Sequence, residues 1–286
     1  MSTVVWVDGE LVGQSQRALS AVDHGVTVGD GAFETCTLVG GTVFALTRHL
    51  RRLDRSLRGL GLTPATDLEA RVRQGIEAVL ARAGDIDGRL RLTVTSGIGP
   101  LGSGRGQARE TVVVAAAAST MRPQSWSVRS PWVRNERSAV AGLKTTSYAE
   151  NVVALADAVA RGGDEALLAN TVGALCEGTG SNVVVERAGQ LLTPALETGC
   201  LAGITRELLL EWGAEDGLPV REAEPGELPF SVLDDVTAGR AHLALTSSGR
   251  NVQPVTSLDG VAVEAGPLTM AARALFERRM RERTDP

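Results

Sequence analysis

Lysine is nearly missing from this 286-residue sequence: of 29 basic side chains, 28 are arginine and one, Lys144, is lysine. Cysteine and histidine are scarce too, at three each (Cys36, Cys176, Cys200; His24, His49, His242). An odd number of cysteines without short ligand spacing argues against a disulfide framework and against a zinc site, so no metal is expected. No stretch approaches the roughly 18 uninterrupted apolar residues of a membrane helix, and Met1 to Glu10 has neither a basic start nor an apolar signal core, so no membrane association and a cytoplasmic location are expected. Positive charge is not in excess either. With 34 acidic against 29 basic residues, a net charge of -5 and pI near 5.4, nothing draws the chain to nucleic acid or to an anionic membrane. What remains is ordinary globular material, 43% hydrophobic and 22% charged with a mean hydropathy of +0.03, long enough for one large domain or two unequal ones. No internal repeat or low-complexity tract appears. Small-molecule chemistry is the default.

The spared lysine invites a chemical explanation. Arginine replaces lysine at solvated sites, but a guanidinium keeps its proton near neutral pH and forms no imine with an aldehyde. The flank Ala139-Val-Ala-Gly-Leu143 is apolar, which disfavours the ammonium form of Lys144 and frees a neutral amine. Tyr148, the sole tyrosine, follows four residues later and shares a helix face with Lys144 if that turn is already helical. Its phenol could hold an oxyanion, or it could be a half-buried aromatic of an amphipathic helix.

Strands begin the chain. Val4 to Val7 and Glu10 to Val12 flank Asp8-Gly9, and Thr35 to Leu38 with Val43 to Leu46 flank Gly40-Gly41, as in hairpins. Leu46, Leu50, Leu53, Leu57 and Leu60 recur at three and four, predicting a helix with Arg48, Arg51, Arg52, Arg55 and Arg58 on its other faces. A second helix spans Leu68 to Ala83. Strands are expected at Arg89 to Thr95 and Thr111 to Ala117, around the glycine-rich stretch 96–106. Ser-Thr-Met-Arg-Pro-Gln-Ser at 119–125 breaks the periodicity, so domains are expected over 1–119 and 126–286 with a linker at 120–125. The second half reads as strand Trp126 to Val133, a helix with Tyr148, Val152, Leu155, Ala156 and Val159 on one face, strands to Leu192, a helix from Thr205, a strand Leu243 to Thr246 and a C-terminal helix Leu268 to Arg283. The fold class is therefore α/β in two domains.

An aldehyde cofactor on Lys144 would need anchors. Gly203-Ile-Thr-Arg206 opens a helix whose free amides, with the Thr205 hydroxyl, can meet a phosphate, though such a turn is also an ordinary N-cap. Ser247-Ser248-Gly249 forms a second loop of small hydroxyl residues, and Arg52 can add a bidentate charge or belong to a solvated face. Glu177, before Gly-Thr-Gly-Ser-Asn182, can keep a pyridine nitrogen protonated and make the ring an electron sink, or it can face water.

Taken in order, Asp23-His-Gly-Val-Thr-Val-Gly-Asp-Gly-Ala-Phe-Glu34, His49-Leu-Arg-Arg-Leu53, Gly142-Leu-Lys144, Asp164-Glu-Ala166, Cys176-Glu-Gly-Thr-Gly-Ser-Asn182, Thr193-Pro194, Leu201-Ala-Gly-Ile-Thr-Arg206 and Thr246-Ser-Ser248 resemble the class IV aminotransferases, the fold type IV pyridoxal phosphate enzymes. The resemblance spans nearly the whole chain. It implies a smaller N-terminal α/β domain, a larger C-terminal cofactor-binding domain and a homodimer. It further implies that Lys144 carries the internal aldimine with pyridoxal 5'-phosphate and that Glu177 pairs with the pyridine nitrogen. Arg52, Ile204, Thr205, Ser248 and Gly249 would hold the phosphate, with Tyr148 near the cofactor oxygen. The activity implied is amino transfer between an amino acid and a 2-oxo acid. The alternative is 4-amino-4-deoxychorismate lysis to 4-aminobenzoate and pyruvate, and the outside alternative is a silent phosphate-binding protein of the same fold. Arg105 and Arg250 are the candidates for a substrate carboxylate. Where a D-amino-acid enzyme would carry Arg-x-His after the Arg91-Leu-Thr-Val-Thr strand, Ser96-Gly-Ile-Gly stands instead.

Overall fold

Asp8 and Gly9, both at positive φ (44° and 114°), turn strand β1 (Val4–Val7) back onto β2 (Glu10–Val12), the left-handed pair that a two-residue hairpin requires. They open a computed structural model that describes residues 3–286. The elements α1 (His24–Thr27), β3 (Gly31–Val39), β4 (Thr42–Val43), α2 (Leu46–Gly59), α3 (Leu68–Ala83), β5 (Gly88–Thr95) and β6 (Thr111–Ala118) follow. The strands form one antiparallel six-stranded sheet in the order β2-β1-β6-β5-β3-β4. Alternation divides its residues. Ala32, Cys36, Leu90, Leu92, Val94 and Val114 join a core with Leu53 and Leu57 of α2 and Val72, Ile76 and Val79 of α3. Helix α3 comes close through Gly75, where a Cβ would stand 2.6 Å from the Trp6 ring. The registers Phe33↔Thr93 and Thr35↔Arg91 put Phe33 and Arg91 together on the opposite face.

The later elements are β7 (Ser125–Arg134), α4 (Ala149–Ala160), β8 (Glu165–Asn170), β9 (Leu175–Gly178), β10 (Asn182–Arg187), β11 (Gln190–Thr193), a 3-10 turn (Leu196–Thr198), α5 (Ile204–Asp216), β12 (Val220–Glu222), α6 (Val232–Thr237), β13 (His242–Ser247), β14 (Asn251–Leu258), β15 (Val261–Ala262) and α7 (Pro267–Glu282). Their sheet is mixed and nine-stranded, running β12-β11-β10-β13-β14-β7-β8-β9 with β15 against β14. Parallel β7 and β8 are joined across α4. Strand β14 escapes a sequence reading because Pro254 argues against an interior strand. It is accommodated between β13 and β7, with a register irregularity at Val255/Ser257.

The chain divides into two compact units. One takes the described residues up to Thr120 together with Leu143–Tyr148 and Thr284–Pro286; the other takes Met121–Gly142 and Ala149–Arg283. Lys144 and Tyr148, expected within the second domain, thus belong to the first unit. The reason is backbone pairing: Thr145 bridges to Ala32, Phe33 N donates to Lys144 O (3.0 Å), and Thr146 N donates to Gly31 O (2.8 Å). Six residues without an apolar period leave no trace of this in the sequence.

Helix α4 is a second difference. It starts at Ala149, so Tyr148 precedes it, and its buried residues are Asn151, Ala154 and Ala158. The apolar face that the sequence spacing marks out is exposed, with Val152 at 62% and Val159 at 61%. Among the described residues no helix is long and apolar enough to cross a membrane.

Candidate active site

Lys144 is fixed through its backbone before its side chain does anything. Its carbonyl accepts from Phe33 N on β3, and its amide donates to Ser56 Oγ on α2 (3.2 Å). Gly59 at the end of α2 has no room for a Cβ, which would lie 2.6 Å from the Leu143 side chain. The amine so placed stands 4.5 Å from the Phe33 ring centroid and 5.9 Å from that of Tyr148, and the two rings meet edge to face at 5.2 Å. Phe33 carries a second cation, the Arg91 guanidinium, 3.6 Å from its centroid. Such stacking stabilises a cation without neutralising it. Among the described residues Arg91 has no ion pair. Desolvation by the surrounding protein lowers its pKa, while Tyr148 and Glu34 pull the other way.

Arg52 is not on a solvated face of α2. It is 6% exposed and donates through Nε and Nη2 to Glu34 Oε1 and Oε2 at 2.8 and 2.6 Å, while His49 Nδ1 donates to Oε2 at 2.7 Å. Burial pushes the Glu34 carboxyl up, but Arg52 and His49 outweigh it and bring it down to about 2; burial dominates at His49 and lowers its pKa. Arg105 is likewise engaged: Nε and Nη2 bracket the Asp30 carboxylate at 2.7 Å each, and Nη2 also reaches Leu60 O (2.8 Å). It clamps the glycine-rich loop to the end of α2, so a substrate carboxylate would have to compete with Asp30.

In the second unit Glu177 lies on β9, 8% exposed. Its Oε2 accepts from Leu201 N (2.9 Å) and its Oε1 from Arg134 Nε (3.1 Å). Helix α5 begins after Gly203 with no side-chain cap, leaving its first amides and Thr205 for an outside acceptor. Asn182 sets this end of the sheet: it pairs with Thr246, donates to Leu201 O (2.7 Å), and its Oδ1 would stand 1.9 Å from any Cβ on Gly203. The turns bearing Ile204 and Thr205, and Ser248 and Gly249, are thereby brought to one edge. Thr246 Oγ1 is buried there without a partner. Arg250, proposed from sequence for a substrate carboxylate, donates instead to Glu165 Oε2 (2.8 Å) and Gln253 Oε1 (2.5 Å). Buried Glu165 also accepts from Thr179 Oγ1 (2.5 Å) and Gly180 N (2.7 Å), fixing the loop after Glu177.

Sequence reasoning missed Phe33, Arg91, Arg134, Asn182 and Glu165. Arg91 gave a signal, as a charge set between Leu90 and Leu92, and Phe33, Glu165 and Asn182 stand inside the quoted motifs without a role of their own. All three cysteines are buried, and burial first of all raises their thiol pKa values, that of Cys200 to about 11, so none is poised as a nucleophile. The first unit thus holds a lone amine on an aromatic floor, a group that can bind an aldehyde, and the second holds, by itself, an uncapped helix start suited to an anion and a buried carboxylate suited to a basic ring.

Comparison with known proteins agrees with that chemistry. A D-alanine aminotransferase of Bacillus licheniformis is 29% identical over 93% of each chain. The aminodeoxychorismate lyase of Bacillus subtilis is 27% identical over 97% of this chain and 95% of its own. In structure, the branched-chain aminotransferase of Thermoproteus uzoniensis, solved with norvaline, superposes with a TM-score of 0.85 at 27% identity, covering 97% of this chain and 94% of the other. Residues 31–258, from the strand that seats Lys144 to the end of β14, match the family described as amino-transferase class IV, and to that family this chain belongs.

Proposed function

We propose that the protein is a pyridoxal-phosphate-dependent aminotransferase that moves an amino group between an amino acid and a 2-oxo acid. The observation that carries this reading is the placement of the chain's only amine side chain, 4.5 Å from the Phe33 ring centroid on a segment hydrogen-bonded at both backbone ends. The residues fit the cofactor: α5 starts without a side-chain cap, Gly203 admits no Cβ, and Thr246 Oγ1 is buried and unpartnered beside that start. Ile204, Thr205, Ser248, Gly249 and Arg52 are assigned to the phosphate, Glu177 to the ring nitrogen and Tyr148 to the ring oxygen. When bound, pyridoxal phosphate supplies an electrophilic carbon and a ring that accepts electrons. Lys144 Nζ would hold the aldehyde and, once the substrate amine has taken its place, would accept the proton of the substrate α carbon.

Arg91 offers the substrate an unpaired cation at the Phe33 ring that Lys144 also approaches, which favours a donor or acceptor carrying a side-chain carboxylate over a purely apolar one. Aminodeoxychorismate lysis is the second reading, supported by the lyase relative matched over 97% of this chain. Both reactions use the same lysine as base.

We further infer a homodimer through α4. Val152 and Val159, and likewise Glu150 and Arg161, are symmetric about the midpoint of Leu155 and Ala156. An antiparallel pair of α4 helices therefore sets valine against valine and Glu150 beside the partner subunit's Arg161. Three free thiols suit a reducing compartment such as the cytoplasm.

The test is the absorption spectrum of the purified protein before and after addition of amino donors, with borohydride reduction and peptide mapping. The expected result is a coloured protein, bleached by its donor, with the reduced adduct on Lys144. A colourless protein, or an unmodified Lys144, overturns the reading. Pyruvate and 4-aminobenzoate formed from aminodeoxychorismate, without amino transfer, select the lyase.

A further inference from the structure

The Glu177 carboxylate, assigned above to the ring nitrogen, has a cation of its own. Arg134, the last residue of β7, spreads its three guanidinium nitrogens over three acceptors: Nε on Glu177 Oε1 (3.1 Å), Nη1 on Glu150 Oε2 (3.3 Å) and Nη2 on Asn151 Oδ1 (3.2 Å). Asn151 in turn donates to Thr179 O (2.6 Å), two residues beyond Glu177, so the arginine is fixed by α4 and the Glu177 loop together. The Arg134 side chain is 17% exposed and that of Glu177 11%.

A carboxyl this buried, left without a counter-charge, favours its protonated form. A protonated Glu177 would donate to a neutral ring nitrogen and leave the ring a weak electron acceptor. A carboxylate leaves the shared proton on the nitrogen. The cation sits on the carboxylate, so it favours the ionic arrangement of the pair over the neutral one, and the two groups titrate as one unit. We propose that Arg134 is a positioning residue that keeps Glu177 ionised, so that the proton shared with the cofactor resides on the ring nitrogen. Leu201 N orients the second oxygen but brings no net charge. The proposal rests on the cofactor assignment above and adds to it the group that decides which partner holds the proton.

The experiment loads the protein with pyridoxal phosphate labelled with 15N in the ring and reads the nitrogen resonance. Wild type and Arg134→Lys, which keeps the charge, are expected at the protonated-pyridine position, and Arg134→Gln is expected to move to the unprotonated position. A wild-type signal in Arg134→Gln overturns the proposal, because a purely structural arginine would not move the proton. A second measurement needs no Arg134 variant: the infrared spectrum of the cofactor-free protein at neutral pH. A carboxylic-acid C=O band that disappears in Glu177→Gln shows Glu177 protonated beside an intact Arg134 and overturns the proposal; its absence supports it. Should the labelled cofactor not attach to Lys144 at all, the cofactor assignment fails, and the infrared result still decides the state of Glu177.

Discussion

Arg91 lays its guanidinium over the Phe33 ring, 3.6 Å from the centroid, on the same aromatic side chain that Lys144 Nζ approaches to 4.5 Å. Two cations at one ring, one of them without a carboxylate, leave a place for an anion. Arg91→Gln is expected to raise KM for a dicarboxylic oxo acid by about 10- to 100-fold, the worth of a charge-assisted hydrogen bond, and to leave a monocarboxylic substrate nearly unchanged. Steady-state kinetics with paired substrates checks this. Equal losses on both substrates would count against side-chain recognition by Arg91.

Lys144→Arg keeps a positive charge near Phe33 and removes the amine. Turnover is expected to fall by roughly 10³-fold or more, since both the aldehyde-binding group and the base are lost. Lys144→Ala should still bind the cofactor in part, because the phosphate groups lie elsewhere in the chain. Equilibrium dialysis with pyridoxal phosphate separates the two losses.

Most of this architecture was legible in the sequence where a period ran long enough. The leucine spacing from Leu46 and the alternation from Arg89 give α2 and β5 within a residue of their observed ends. Lys144, Glu177 and the turn before Thr205 stood out because their residue types do chemistry. What sequence hid is pairing across distance. Nothing near Leu143 shows that six residues join β3, nothing in the arginine-rich helix marks Arg52 as the one facing Glu34, and Arg105 and Arg250 looked available until Asp30 and Glu165 were found bound to them. Helix α4 misled for another reason. An apolar stripe signals burial without saying what covers it, and here the residues beneath the helix are the small Ala154 and Ala158.

Glu34 makes stability depend on acid. Its carboxyl, held at about 2 in the fold by Arg52 and His49 against 4.5 for an ordinary glutamate, binds a proton more readily when unfolded. Its contribution is therefore complete above about pH 4.5 and is lost as pH falls toward 2. Chemical denaturation between pH 6 and 2.5 should show this decline. In Glu34→Gln the decline should be shallower, on a baseline lowered by about 3–5 kcal/mol because Arg52 is left buried without its charge partner. A variant as stable as wild type at neutral pH would show that the pair contributes little.

The exposed stripe of α4 gives the last prediction. Val152→Asp together with Val159→Asp places four carboxylates, two from each copy, at the centre of an antiparallel helix pair, where like charges meet in an apolar contact. Sedimentation velocity is expected to show the wild type as a dimer and the double variant as a monomer. Helix α4 itself should persist, because Asn151, Ala154 and Ala158, which hold it against its own unit, are untouched. A charge exchange tests the register separately. Glu150→Arg should weaken association by placing two arginines together, and combining it with Arg161→Glu should restore it, since the reversed pair attracts as the original does. Restoration requires that residue 150 of one copy lies beside residue 161 of the other. A double variant as monomeric as Glu150→Arg alone would place the dimer contact on another surface.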